Sequence, residues 1–351
     1  MQVITHLDKE KWNGIIKSFL NWDIYYLHEY AESFMKHGDG YPLLFYYEDF
    51  NCKLCYVAML NDISQMKIFR GALPASNYFD LTTPYGYGGP LIEGNFDALS
   101  QKKFMNELND YCMQNNIVSQ FVRFHPLLNN SIHMRDICEI LQIKETIVID
   151  TIMPEVINKN MDSKNRNMIR KARKSGVSIK RDTGKHIDEF IKIYEATMKD
   201  NSANSYYYFK REYYDYLIKE MSNNTVYFYS YVDDIMISAA IFFYNEKYMH
   251  YHLSGMLKEY RHMGSMNLLL SEAAEWASKQ GIELLHLGGG VSAIDGLYRF
   301  KKQFNKNGSR PFYIGRNIFN KKAYDELLEA RKKLDSNFDV NNSHFIQYRK
   351  E

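Results

Sequence analysis

The sequence predicts a mixed α/β fold with two domains in tandem. Three observations lead to this prediction. The chain has 351 residues, a length that favours two domains or one large one. Its second half alternates strand and helix patterns in a readable order, and its first half repeats part of that order. We place the boundary between residues 1–152 and 153–351, and assign the main candidate functional residues and a C-terminal helix to the second domain.

The elements of the second half follow from apolar spacing and turn signals. A basic helix covers 163–175, where Asp162 or Ser163 can cap its start and Gly176 follows its end. Further helices are predicted at 186–199, 209–221, 264–280 and 296–304. Strands are predicted at 177–180, 226–232, 235–244, 248–253, 282–287 and 312–314.

The resulting order, β-α-α-β-β-β-α-β-α-β, is that of the GCN5-related acyltransferase (GNAT) fold. The first half shows a weaker version of it, with a helix at 96–114 and strands at 43–47, 54–59, 118–124 and 146–150. We therefore interpret residues 1–152 as a diverged GNAT-like domain and expect two such domains in tandem.

Composition limits the class of protein. Hydrophobic residues make up 45% and charged residues 25% of the chain, which excludes a mainly disordered, collagenous or coiled-coil chain. No uncharged apolar run reaches the ~18 residues of a transmembrane helix. Four cysteines do not form a disulfide framework in a chain of this length, and residues 1–12 lack a signal-peptide core. We therefore expect a cytoplasmic protein.

Positive charge is concentrated in one segment. The net charge is +2, yet residues 158–185 hold ten basic residues against Asp162 and Asp182. Such a patch suits an anionic partner, which could be a nucleotide, a diphosphate, RNA or a lipid head group. A solvated helix face explains it equally well. The anion-binding candidates on the helix are Arg166, Arg170, Arg173 and Lys174.

Two glycine-bearing turns are candidates for donor binding. Arg261, Gly264 and Ser265 follow a strand and open a helix, where free N–H groups can hold phosphates. The GNAT fold has an R/Q-x-x-G-x-G/A loop at this position, but Met266 stands where a small residue is expected. A plain helix start is the alternative. The second turn, Gly288, Gly289 and Gly290, follows a buried strand and would let a ligand approach the backbone.

A short helix carries the candidate catalytic group. Leu297, Phe300 and Phe304 share an apolar face, and Lys301 lies at its edge. A lysine against the core needs an anion or a route to solvent. A fixed ammonium beside a cleft could stabilise the oxyanion of acyl transfer, whereas a lysine that reaches out to solvent is the plainer interpretation.

The acceptor side is less sharply defined. The segment 83–90 is too rich in glycine and proline for regular structure and reads as a turn or as the wall of a cleft. Tyr85, Tyr87 and Tyr213 are the acceptor-cleft candidates, with His252 as a possible base. Cys52-x-x-Cys55 is interpreted as structural. We predict no metal site.

Five segments of the chain form a distinctive series of motifs. They are TPYGYGGPL (83–91), FVRFHPL (121–127), IRKARKSGV (169–177), HLGGG (286–290) and LYRFKKQF (297–304). In this order they resemble the motifs of the Fem-type aminoacyltransferases, bacterial enzymes related to methicillin-resistance factors, and the resemblance runs from about residue 20 to 315.

The resemblance implies two tandem GNAT-like domains with a substrate channel between them. It implies transfer of an aminoacyl group from aminoacyl-tRNA to an amine on a peptidoglycan precursor, in the cytosol. In the family the Phe-Lys pair of the RFK motif lies by the reacting carbonyl, which corresponds to Phe300 and Lys301. Residues 177–248 leave no room for the coiled-coil arm of staphylococcal members, with which tRNA contacts are often associated.

Armless relatives act on soluble nucleotide-linked precursors, and others are known only as N-acyltransferases. The co-substrate is thus expected to be aminoacyl-tRNA or acyl-CoA, with no tightly bound cofactor. The working hypothesis is aminoacyl transfer with Lys301 stabilising the oxyanion, and a lipid-linked precursor would add peripheral membrane association. The alternatives are coenzyme A-dependent N-acylation of an amino sugar or another envelope precursor, and a non-catalytic RNA-binding module.

Overall fold

The structure is a computed structural model that describes residues 1–69 and 71–350. The chain forms two compact units. Unit 1 comprises residues 1–143 together with 312–351, and unit 2 comprises residues 144–311. The chain passes from unit 1 to unit 2 between residues 143 and 144, and it returns between residues 311 and 312.

Thirteen strands and ten α-helices occur in the described residues. The strands are β1 Gln2–Thr5, β2 Tyr41–Glu48, β3 Cys52–Asp62, β4 Phe79–Thr82, β5 Leu91–Gly94, β6 Ile117–Arg123, β7 Glu139–Asp150, β8 Ser178–Asp182, β9 Thr225–Val232, β10 Ile235–Tyr244, β11 Tyr248–Met256, β12 Leu284–Gly288 and β13 Ser309–Ile318. The helices are α1 Lys9–Lys17, α2 His28–His37, α3 Ala98–Gln114, α4 Pro154–Asn160, α5 Ser163–Lys174, α6 Ile187–Asp200, α7 Arg211–Glu220, α8 Ser265–Lys279, α9 Gly296–Lys302 and α10 Lys321–Leu334.

Unit 1 is built on a mixed sheet. Its strands follow the order β1-β2-β3-β4-β6-β13, and β5 pairs with β3. β4 and β6 pair in parallel, whereas the other neighbours are antiparallel. The connection between β4 and β6 includes α3, as a parallel crossover requires. Apolar residues of β2, β3 and α3 form one core on this sheet.

The strands of unit 2 also pair in a mixed arrangement, in the order β7-β12-β11-β10-β9-β8. β11 and β12 are parallel and are joined through α8, while β8 to β11 are antiparallel neighbours. The apolar face of α8 packs with residues of β9, β10 and β12 in the core of this unit. Each unit thus combines an antiparallel meander with one parallel pair joined through a helix.

The division of the chain differs from the predicted one in its C-terminal part. Residues 312–351 belong to unit 1, although we assigned them to the second domain. β13 pairs with β6 from Ile314 opposite Arg123 to Ile318 opposite Ser119. Tyr324 and Leu327 of α10 pack in a core cluster with Val118. The C-terminal helix therefore exists, but it covers the sheet of unit 1.

The helices give no sign of a membrane span. Within residues 1–69 and 71–350, none has both the length and the apolar composition needed to cross a bilayer.

Candidate active site

The residues that carry the candidate chemistry meet in unit 2, around the start of α9. Asp295 is the N-cap of this helix, and its carboxylate accepts a hydrogen bond from the backbone N–H of Tyr298 at 2.7 Å. The same carboxylate accepts bonds from the N–H groups of Val291 at 2.6 Å and Ser292 at 2.9 Å. Asp295 therefore connects the residues that follow the glycine turn to the start of α9 through hydrogen bonds. Burial acts to raise the pKa of this carboxyl, but the backbone N–H groups outweigh it and hold the pKa below its usual value.

Lys301 lies inside the protein rather than in solvent. Its side chain is buried, with the residue 7% exposed, and its Nζ donates a hydrogen bond to the carbonyl oxygen of Gly289 at 2.8 Å. The Nζ also lies 5.5 Å from the centre of the Tyr251 ring. This arrangement fixes the amine beside the glycine turn. The plainer interpretation, a lysine extended into solvent, is wrong for this residue.

Burial changes the acid–base behaviour of Lys301. Loss of hydration, reinforced by the nearby positive charge of Lys144 and partly offset by Asp295, lowers its pKa from 10.5 to about 7. Both the ammonium and the neutral amine are therefore substantially populated near neutral pH. A group with this property can exchange a proton during a reaction.

The glycine turn depends on the absence of side chains at two positions. A Cβ on Gly290 would lie 2.2 Å from Oδ1 of Asp295. On Gly289 it would lie 2.7 Å from the backbone oxygen of Glu145. The close approach of Asp295 and of β7 to this turn thus requires glycine at both positions, which gives the GGG motif a structural cause.

Phe300 and Tyr298 complete the surroundings of the helix. Phe300 is half-buried, packs against the core of unit 2 and makes an edge contact with Phe304 at a ring distance of 5.4 Å. The Tyr298 hydroxyl donates to the Glu145 carboxylate and lies 3.1 Å from Oγ of Ser309. These contacts fix α9 on the strands beside it.

The second glycine turn opens α8. Gly264 precedes the helix with φ +73° in the left-handed region, where a side chain is disfavoured. Ser265 is buried and Arg261 is exposed, and the Ser265 Oγ has no hydrogen-bond partner among the described residues. Met266, which departs from the small-residue pattern, belongs to the core and its Sδ lies 3.6 Å from the Tyr251 hydroxyl.

Tyr251 connects the two parts of the site. Its ring lies under the Lys301 amine, and its hydroxyl contacts Met266 at the start of α8. The hydroxyl also donates to Ser254. Burial raises the pKa of Tyr251 to about 12, so this residue is a neutral phenol at physiological pH.

The basic helix α5 does not present its four candidates as one patch. Arg166 donates to the backbone carbonyls of Asn158 and Met161, at the end of α4. Arg173 forms an ion pair with Glu272 at 2.8 Å. Arg170 bonds to the side chain of Asn167 on its own helix, and Lys174 is exposed. Arg170 and Lys174 are therefore better placed to meet an anion than Arg166 and Arg173.

Tyr213, which is buried, and His252, which is half-buried, form a hydrogen-bonded pair in unit 2. The Tyr213 hydroxyl lies 2.6 Å from Nε2 of His252, and the histidine ring packs on Phe243 at a ring distance of 4.4 Å. Burial, with a contribution from His250, lowers the pKa of His252 to about 3. A ring with this pKa is poorly matched to accept a proton at neutral pH, which argues against His252 as the base.

Tyr85 and Tyr87 lie in unit 1, on the loop between β4 and β5. The backbone oxygen of Tyr85 accepts a hydrogen bond from Tyr30 at 2.5 Å. Tyr87 makes an edge contact with Phe312 at 5.2 Å, and the Arg123 guanidinium lies 5.9 Å from its ring centre. Burial raises the pKa of Tyr87 to about 12. The loop is thus an ordered, aromatic part of unit 1.

Three residues of the site were not among the candidates from the sequence. They are Lys144, whose Nζ donates to the Gly290 carbonyl at 2.8 Å, together with Tyr251 and Asp295. Asp295 directly precedes the helix that carries Lys301, so its position as an N-cap was available in the sequence. Lys144 and Tyr251 gave no such signal, because strand pairing brings them to the site.

Comparison with known proteins supports an acyl-transfer interpretation. Residues 159–302 match the acetyltransferase (GNAT) domain family. No curated protein sequence matches the chain significantly. Among solved structures, FemX superposes with a TM-score of 0.67 at 12% identity, covering 93% of this chain and 99% of that chain.

Two further solved structures are similar over nearly the whole chain. L-PGS from Bacillus licheniformis gives a TM-score of 0.55 at 13% identity, covering 92% of this chain and 96% of that chain. A tandem GNAT protein from the clavulanic acid biosynthesis pathway gives 0.51 at 7% identity, covering 91% and 98%.

The mixed α/β fold with tandem GNAT-like domains is confirmed, as is the Fem-like resemblance at the level of the fold. The chain is an acyltransferase by class, with its GNAT domain at residues 159–302. That range contains α5, the Gly264 turn, the glycine turn 288–290 and Lys301.

Proposed function

We propose that this acyltransferase moves an aminoacyl group from aminoacyl-tRNA to an amine of a peptidoglycan precursor. The observation that carries the proposal is the buried Lys301 amine, fixed on the Gly289 carbonyl inside the GNAT domain. In this mechanism the amine of the acceptor attacks the ester carbonyl of the donor. Lys301 stabilises the oxyanion that forms, and Phe300 orients the reacting group.

The burial of Lys301 supports the role in oxyanion stabilisation. An ammonium that is shielded from water interacts more strongly with a developing negative charge than an exposed one. Because its Nζ is already held by the Gly289 carbonyl, little reorganisation is needed when the oxyanion forms. Removing one oxyanion-stabilising donor typically raises the activation barrier by about 3 kcal/mol.

The donor is proposed to bind along the start of α8. There the first N–H groups of a 15-residue helix point away from the helix and favour phosphate oxygens. Arg261 is exposed just before this helix. Arg170 and Lys174 of α5 could meet further phosphates of a tRNA, because neither forms an ion pair with a described carboxylate.

The acceptor is proposed from the Fem-type resemblance and from the FemX-like fold. A nucleotide-linked precursor would be met in the cytoplasm. A lipid-linked precursor would bring the protein to the membrane surface. Tyr85, Tyr87 and Tyr213 remain the candidates for contact with the acceptor.

A second candidate is N-acylation of an amino sugar or another envelope precursor from acyl-CoA. It is favoured by the match of residues 159–302 to an acetyltransferase domain and by the glycine turn at the start of α8. The core position of Met266 weighs against it, since a small residue is expected there for ordinary coenzyme A binding. Lys301 would serve the same oxyanion in either reaction.

The two donors can be separated by one assay. The purified protein is incubated with a nucleotide-linked peptidoglycan precursor, or with an amino sugar, and either total aminoacyl-tRNA or acetyl-CoA. Mass gain on the acceptor from aminoacyl-tRNA alone is the expected result. Transfer from acetyl-CoA alone would replace the proposal by the second candidate. RNA binding that weakens steeply with salt, without transfer from either donor, would indicate an RNA-binding module.

A further inference from the structure

Two lysines donate hydrogen bonds to consecutive carbonyls of the same turn. The Nζ of Lys301 bonds to the Gly289 oxygen at 2.8 Å. The Nζ of Lys144 bonds to the Gly290 oxygen, also at 2.8 Å. Lys301 comes from α9 and Lys144 from β7, so the fold brings the two amines to one place from residues that are far apart in sequence.

The other polar groups around Lys301 have defined partners. On its own helix, Asp295 accepts three backbone hydrogen bonds, and Tyr298 donates to Glu145 of β7. From β11, Tyr251 presents its ring rather than its hydroxyl to the Lys301 amine. Lys144 is the cation of this set, and it lowers the pKa of Lys301 in the same sense as burial does.

We propose that Lys144 is a positioning residue for Lys301. Its ammonium, held on the next carbonyl of the turn, drives Lys301 towards the neutral amine, and the neutral amine accepts the proton that the attacking amine must lose. This inference rests on the proposed function and gives acyl transfer a base. His252 is too weak a base for the task near neutral pH.

In this mechanism Lys301 carries one proton from the acceptor nitrogen to the leaving oxygen. The acceptor nitrogen bonds to the donor carbonyl carbon and passes one proton to neutral Lys301, while the C=O electron pair moves onto the oxygen. Lys301 is therefore an ammonium when the oxyanion exists, and its positive charge stabilises the negative charge on that oxygen. The oxyanion collapses, the bond to the leaving oxygen breaks, and Lys301 returns the proton to that oxygen. The products are the amide and the free hydroxyl, and Lys301 is neutral again.

Lysine NMR tests the charge relationship without any substrate. The protein is labelled with ¹³C at lysine Cε, the Lys301 signal is assigned by its absence in Lys301→Arg, and the signal is followed with pH. In the wild type we expect a midpoint near pH 7. In Lys144→Met the midpoint should rise by about one pH unit, because a like charge has been removed. Lys144→Arg should keep the wild-type midpoint.

A matched control removes a positive charge elsewhere in unit 2. Lys306 is exposed, and Lys306→Met should leave the midpoint of Lys301 unchanged. If Lys144→Met does not fold, Lys144→Gln takes its place, and the circular dichroism spectrum reports folding in each case. An unchanged midpoint in both neutral variants, or an equal rise in Lys306→Met, would overturn the proposal.

The pH dependence of transfer separates this inference from the proposed function. With the donor that the assay identifies, the rising limb of kcat against pH should move up by about one pH unit in Lys144→Met and stay in place in Lys144→Arg. Transfer with an unmoved limb would refute the inference and leave the function standing. A moved NMR midpoint without transfer from any donor would refute the function and leave the charge relationship standing.

Discussion

The Nζ of Lys301 lies 2.8 Å from the carbonyl oxygen of Gly289. This hydrogen bond joins the two most distinctive motifs of the second half, HLGGG and LYRFKKQF, into one site. It fixes a buried amine at a turn in which a side chain on Gly289 or Gly290 would clash with neighbouring atoms. The candidate chemistry of the protein depends on this pairing.

The buried amine should make stability depend on pH. In the unfolded chain Lys301 holds its proton up to its ordinary pKa of 10.5, whereas the folded protein releases it at about 7. Between these values the unfolded state binds more protons, so stability rises with pH, and below pH 7 the full penalty applies. Lys301→Met lacks the penalty. We expect it to exceed the wild type in free energy of unfolding by on the order of 5 kcal/mol at pH 6.

That difference should shrink as the pH approaches 10. Urea denaturation of both proteins at pH 6 and pH 9.5 measures it. The effect of the substitution on packing is the same at both pH values, so it cancels when the two differences in free energy of unfolding are compared. A difference that stays constant over this range would show that Lys301 is not held in a site that disfavours its charge.

A side chain in the glycine turn should reduce turnover, and a glycine outside the turn provides the control. Gly289→Ala should lower turnover at least about tenfold, because the new Cβ would lie 2.7 Å from the Glu145 backbone oxygen and would displace the carbonyl that holds Lys301. Gly296→Ala adds a Cβ with no atom within 4 Å and should leave turnover unchanged. Steady-state kinetics on the two variants decides the matter, and equal activities would contradict the assigned role of the turn.

His252 should stay neutral throughout the physiological range. Its burial lowers its pKa to about 3, so the ¹⁵N shifts of its ring should remain those of a neutral imidazole at pH 5. Tyr213→Phe, which removes a 2.6 Å hydrogen bond to the ring, should cost about 1 kcal/mol of stability. A ring that protonates near pH 6.5 would restore His252 as a candidate base.

Unit 1 depends on an ion pair near the end of the described chain. Asp80 of β4 is 1% exposed and accepts hydrogen bonds from the Arg349 guanidinium and, at 2.7 Å, from the Tyr348 hydroxyl. Arg349→Met leaves a buried carboxylate without its cation and should cost about 3 kcal/mol. Chemical denaturation measures this cost.

Arg135 provides the matched control for Arg349, because it is an exposed arginine of the same unit. Arg135→Met should change the free energy of unfolding by less than about 0.5 kcal/mol. Equal effects of the two substitutions would show that the Asp80 pair contributes little.

Much of the second half could be predicted because its patterns are local. The bounds of β10 agree with the prediction, and α5, α8 and α9 begin within one residue of it. The predicted apolar face of α9 placed Lys301 near the core, but the face is rotated from the predicted one, because Leu297 is 42% exposed while Tyr298 and Lys301 are buried. Each of these inferences used residues within one helix or strand.

The remaining features depend on pairing between distant residues. Ile314 to Ile318 of β13 pair with Ser119 to Arg123 of β6, and no local pattern indicates this, so the C-terminal segment was assigned to the wrong unit. Lys144 reaches the site because β7 pairs with β12, with Ile147 opposite Gly288. The anion-binding prediction for α5 overlooked that Glu272 of α8 would lie beside Arg173.

The most direct test of the central claim is the turnover of Lys301→Met with the donor that supports transfer. We expect single-turnover acyl transfer to be at least about a hundredfold slower than in the wild type, with an unchanged circular dichroism spectrum. Lys302→Met removes the neighbouring lysine, which bonds to Ser309, and should retain nearly full activity. Transfer by Lys301→Met at the wild-type rate would contradict the account.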